Sequence, residues 1–114
     1  MVDKPISVAE TPLFVRQAEK VWSDEEREEF IDFISKNPES GDLIQDTGGV
    51  RKIRWRRAGT SKRDGVRIIY FYYSTACPIF LLMVYAKSMQ ADLSPEGKKA
   101  AKEIATAIKQ RYRH

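Results

Sequence analysis

The 114-residue sequence has a single cysteine and a single histidine, and both scarcities exclude chemistry. Cys77 alone makes neither an internal disulfide nor a thiolate ligand set, and it reads as a small apolar residue beside Pro78. His114 is the last residue given, so two-histidine ribonuclease chemistry and histidine-based hydrolytic triads are excluded by count. The longest apolar run, Ile79 to Ala86, falls far short of the roughly 20 residues a spanning helix requires. The opening Met-Val-Asp-Lys-Pro-Ile lacks the apolar core of a signal peptide, so a cytoplasmic protein without membrane contact is expected. No phosphate-cradling loop is present, because Gly48-Gly49 lacks the spacing and the following helix. Repeats and low-complexity segments are absent too. No metal and no cofactor is expected.

What the chain does have is charge, unevenly spread. Residues 1–47 carry 5 Lys/Arg against 12 Asp/Glu, a net of −7. Residues 48–73 carry 8 against 1, a net of +7, and residues 74–114 carry 7 against 3, a net of +4. This segregation points to a basic interaction surface and a phosphate-rich partner. The helical side would repel that partner and orient it to the opposite face. The length implies one domain, residues 1–114, and a 42% hydrophobic content argues for a folded one.

In chain order, Ile6 to Ala9 suits a short first strand. Thr11-Pro12 reads as a helix cap followed by proline at the first helical position, and Phe14, Ala18, Val21 and Trp22 form one apolar face. Ser23-Asp24-Glu25-Glu26 fits a capping box, which starts a second helix running to about Lys36 with Phe30, Ile31, Phe33 and Ile34 inward. The carboxylates from Asp24 to Asp32 read as its solvated face, and the two helices form a hairpin. Glu39 to Gly49 reads as a loop. From Val50 to Arg57 the alternation places Arg51, Ile53 and Trp55 on one side and Lys52, Arg54 and Arg56 on the other. Ala58 to Gly65 is a polar loop. Val66 to Tyr73 and Ile79 to Lys87 are near-continuous apolar runs, as expected of central strands, joined by Ser74 to Pro78. Their polar exceptions, Arg67 at the start of one run and Tyr85 and Lys87 at the end of the other, meet if the strands are antiparallel. Ser94-Pro95-Glu96 then begins a third helix whose apolar stripe is Ala101, Ile104, Ala105, Ile108 and Tyr112.

Lysines, arginines and tyrosines on a sheet support two kinds of function. One is non-catalytic RNA binding or regulation by a basic face. The other is RNA cleavage without a metal: the 2′-hydroxyl attacks its own phosphate, one proton is removed, negative charge accumulates on phosphorus, and the leaving 5′-oxygen is protonated. Arginines can stabilise that charge, while a lysine crowded by other cations, or a tyrosine, can handle a proton.

Three segments together resemble a known family. They are Gly41-Asp42-Leu43-Ile44-Gln45-Asp46-Thr47-Gly48-Gly49-Val50-Arg51-Lys52-Ile53-Arg54, Lys62-Arg63-Asp64-Gly65-Val66-Arg67-Ile68-Ile69-Tyr70, and Leu81-Leu82-Met83-Val84-Tyr85-Ala86-Lys87-Ser88 with Asp92-Leu93. In this order the chain resembles the HigB-type branch of the RelE toxin superfamily across roughly residues 13–112. The resemblance implies an α+β, RelE-like fold: a small, mostly antiparallel sheet packed by an N-terminal helical hairpin, with a C-terminal helix. It implies a bacterial type II toxin that cleaves mRNA on the 70S ribosome, stays in the cytoplasm and is neutralised by a cognate, HigA-like helix-turn-helix antitoxin. Carried over, the family's basic strand falls on Arg51, Lys52 and Arg54, its phosphate-binding arginine on Arg67, and its last core strand ends on Tyr85 and Lys87. The expected catalytic set is Lys52, Arg54, Arg67, Tyr85 and Lys87, with Arg51, Arg56, Arg57, Lys62 and Arg63 binding RNA. The C-terminal catalytic tyrosine of some relatives has no clear counterpart, since the helical stripe claims Tyr112 for packing.

Overall fold

The computed structural model describes residues 4–56, 65–90 and 92–112. Its elements run β1 (Val8–Glu10), α1 (Pro12–Val21), α2 (Asp24–Lys36), β2 (Asp42–Leu43), β3 (Val50–Trp55), β4 (Val66–Phe71), β5 (Ile79–Ala86) and α3 (Pro95–Tyr112). Both N-terminal helices start where their caps dictate. The Thr11 hydroxyl accepts the Phe14 N–H, and Ser23 and Glu26 exchange reciprocal bonds with each other's backbone, which satisfies donors that a helix start otherwise leaves open. Trp22 ends α1 and Ser23 caps α2, so the hairpin connection is as tight as expected.

The five strands form one sheet in the order β1-β5-β4-β3-β2. β1 lies parallel to β5, and the other pairs are antiparallel. Each face carries a separate core. Phe14, Ala18, Trp22, Phe30 and Ile34 of the helical hairpin pack on Val66, Ile68, Tyr70, Ile79, Leu81 and Val84. On the other face Ala101, Ala105 and Ile108 of α3 pack on Val50, Ile69, Phe71, Leu82 and Met83. Burial on both faces accounts for the continuous apolar runs of β4 and β5. The packing role of Tyr112 holds: it is partly buried, and its ring centroid lies 6.3 Å from that of Phe80.

Besides β3 ending at Trp55 and β5 at Ala86, three features differ from the sequence reading. The first strand is Val8–Glu10, not Ile6 to Ala9; Ile6 is buried ahead of it, with its N–H donating to the Ser35 carbonyl at 2.9 Å. A two-residue strand, β2, lies inside the stretch expected to be loop. β4 stops at Phe71, not Tyr73, because its neighbour β3 begins at the paired Val50. Gly49, at φ 116°, has already turned out of extended backbone there, and Gly48 precedes it at φ 76°; both angles favour glycine.

Candidate active site

The antiparallel registers align Arg54 of β3 with Arg67 of β4, and Arg67 with Tyr85 of β5. Alternation places all three on the α3 face, with Lys52 one step along β3 and Lys87 just past the end of β5. The sequence-predicted set Lys52, Arg54, Arg67, Tyr85 and Lys87 therefore gathers at one end of one face. Two arginines directly opposite each other across a strand pair are mutually repulsive. A local conflict of this kind is one that functional sites tolerate.

The row has depth. Arg67 is 5% exposed and Tyr85 7%, so they form a floor, whereas Arg54 is exposed and Lys52 and Lys87 are half-buried at the rim. The Tyr85 hydroxyl is buried and has no hydrogen-bond partner among the described residues. Burial pushes its pKa above the usual value, the Asp92 carboxylate adds to the rise, and the Arg67 guanidinium opposes it. At neutral pH Tyr85 therefore holds its proton.

Asp92, to which no role was assigned from sequence, completes the rim. Its Oδ1 lies 3.2 Å from the Lys52 Nζ and also accepts the Leu93 N–H at 2.8 Å. That backbone bond, followed by the Lys52 contact, holds the Asp92 carboxyl below the usual carboxylate range; burial opposes them, and the charges of Lys52 and Lys87 add to the lowering. The contact on Lys52 is thus an anion rather than a crowd of cations. Only the pairing of Asp92-Leu93 with the β5 motif could have drawn attention to it.

Arg51 is not brought to this site. It lies on the hairpin face, opposite Tyr70, and its Nη1 donates to the carbonyls of Glu39 at 3.1 Å and Gly41 at 2.7 Å. It holds the loop before β2, on the face opposite the other predicted site residues. Arg56 is exposed at the end of β3 and, like Arg54, has no ion pair among the described residues. Arg57, Lys62 and Arg63 lie outside the described residues. A cleft of about 850 Å³ runs along the β2–β3 edge, lined by Lys52, Arg54 and Arg56 together with Phe33, Leu43 and Trp55 among others. It includes neither Arg67 nor Tyr85, so the cleft adjoins the site without containing it.

No helix among the described residues is long and apolar enough to cross a membrane, and no group of three or more His, Cys, Asp or Glu could hold a metal ion. A family model described as the RelE toxin of the RelE/RelB toxin-antitoxin system matches residues 7–114. The chain belongs to the RelE toxin family. Among solved structures it is similar to an arginine double mutant of the E. coli toxin RelE in the free state, at 14% identity and a TM-score of 0.55, covering 77% of this chain and 90% of that one. That likeness establishes the RelE fold: helices on both faces of a five-stranded, mostly antiparallel sheet.

Proposed function

We propose that this toxin is a HigB-type, ribosome-dependent mRNA endoribonuclease, a single RelE-like domain acting in the bacterial cytoplasm and held inactive by a HigA-like antitoxin. The observation that carries the reading is the Arg54–Arg67–Tyr85 row. In the proposed reaction the substrate's 2′-hydroxyl gives up its proton to solvent water as its oxygen bonds to the adjacent phosphorus, and the bond to the 5′-oxygen breaks. The products are a 2′,3′-cyclic phosphate and a free 5′-hydroxyl. Arg67 on the floor and Arg54 at the rim stabilise the charge that grows on the phosphate oxygens. Tyr85 keeps its proton at neutral pH and is suited to deliver it to the leaving 5′-oxygen. Lys52 and Lys87 complete the cationic rim, and no metal takes part in the step.

Induced expression with transcript-end mapping tests the proposal. Cuts confined to translated frames, ending in cyclic phosphate, are expected. Lys87→Ala and Arg67→Ala should relieve growth arrest, with folding checked by thermal melting because Arg67 is buried. Salt-dependent RNA binding without any cleavage would instead establish a non-catalytic module.

A further inference from the structure

Asp92 is placed where an RNA-binding face has least use for a carboxylate. It lies on the connection between β5 and α3, 40 residues from Lys52 in sequence, yet contacts it at 3.2 Å. Its own loop holds it there: Leu93 donates to Oδ1 at 2.8 Å, and the Gln90 side-chain amide donates to the Asp92 carbonyl at 2.7 Å. The Lys87 charge also acts on the carboxylate, and the carboxylate charge acts on Tyr85. An anion so placed repels phosphate and cancels a cation that would otherwise attract it. Its oxygen contacts the ammonium group as a phosphate oxygen would. The pair is also partly in water, with side-chain exposures of 35% for Lys52 and 71% for Asp92, and ion pairs of that kind are weak enough to exchange.

We propose that Asp92 is an affinity-setting residue of the RNA site: its carboxylate occupies Lys52 in the empty protein, and a phosphate of the incoming RNA must displace it. The inference rests on the reading of this face as an RNA site. It makes a distinctive demand on salt dependence. Each phosphate neutralised by a cation adds about 0.7 to the slope of log affinity against log salt for a single strand, and a lysine already neutralised from within contributes less.

The test uses the full chain and a labelled single-stranded oligoribonucleotide with 2′-methoxy groups, which cannot be cut, titrated at several salt concentrations. Asp92→Asn keeps the bond to the Leu93 N–H and removes only the charge. It should tighten binding about fivefold at low salt and steepen the salt slope by up to about 0.7. In a Lys52→Ala background the same substitution should do neither, because Asp92 acts through Lys52. Unchanged affinity and slope, or weaker binding, in Asp92→Asn would overturn the inference. So would an equal gain with Lys52 absent, which would make Asp92 a general repulsive charge. Wild-type protein that fails to bind the oligonucleotide in a salt-dependent way would overturn the RNA-site reading itself, and this inference with it.

Discussion

Two cross-strand pairings on opposite faces of one sheet use the same residue types to different ends. On the hairpin face Arg51 opposes Tyr70, and both side chains are satisfied. The Tyr70 hydroxyl donates to the Pro38 carbonyl and accepts the Gly41 N–H, each at 2.9 Å, while Arg51 donates to the carbonyls of Glu39 and Gly41. Even Gly41 is fitted to this arrangement, since a Cβ there would stand 2.8 Å from the Tyr70 ring and hydroxyl. On the α3 face Arg67 opposes Tyr85, a second arginine opposes the first, and the Tyr85 hydroxyl has no hydrogen-bond partner among the described residues. The first pairing is finished internally. The second leaves the Tyr85 hydroxyl buried without a hydrogen-bond partner among the described residues, a condition that calls for an explanation other than packing.

The largest expected effect breaks the comparison at its arginines. Arg67→Lys keeps the charge but loses the planar fork of donors, and should lower mRNA cleavage on programmed ribosomes about 10²- to 10³-fold. Arg51→Lys should leave cleavage within a few fold while lowering the melting temperature, which the same preparations can be used to measure.

The tyrosines sharpen the contrast further. Tyr85→Phe removes a buried hydroxyl that no described group satisfies, so stability should hold or rise, whereas cleavage should fall by about 10² with the loss of an acid. Tyr70→Phe should do the reverse: the Gly41 N–H and Pro38 carbonyl lose their partner, at a cost of about 1–3 kcal/mol read from a denaturant melt, with cleavage retained. An outcome in which both tyrosine variants lose the same property would erase the distinction between the two faces.

The smallest effect is on pH. Burial raises both tyrosine pKa values above the ordinary tyrosine value of about 10. A folded pKa above the unfolded one means the folded state holds its proton more tightly. The resulting stabilisation is fully present below about pH 10 and is lost as pH rises through the folded values. Melts between neutral pH and the alkaline range should show that decline, and Tyr70→Phe should flatten part of it.

The helical hairpin and α3 are legible in the sequence because their signals are local: Thr11-Pro12, the Ser23 to Glu26 box and Ser94-Pro95 each act within four residues. The apolar runs of β4 and β5 are legible because burial on both faces leaves little room for polar residues. β2 is not, since two residues carry no periodicity and its pairing depends on Gly48 and Gly49 turning the chain. The convergence of Arg67 with Tyr85 follows from spacing and antiparallel pairing, but its exact register does not, because a shift between Ile69 and Tyr70 intervenes. Alternation separates Arg51 from Lys52 and Arg54 without saying which side faces α3, so the family pattern drew Arg51 into the site. Asp92 shows in the sequence only as part of the Asp92-Leu93 motif, and its role does not, because its partner is 40 residues away, on a strand two places across the sheet from β5.

The central claim, that the Arg54–Arg67–Tyr85 row is where RNA is cut, is tested most directly by Arg54→Ala, because Arg54 is exposed and its removal leaves both cores untouched. The measurement is the single-turnover rate of mRNA cleavage on programmed ribosomes, taken with the melting temperature of the same sample. The expected result is a loss of about 10²-fold at an unchanged melting temperature. Cleavage at the wild-type rate would contradict the account.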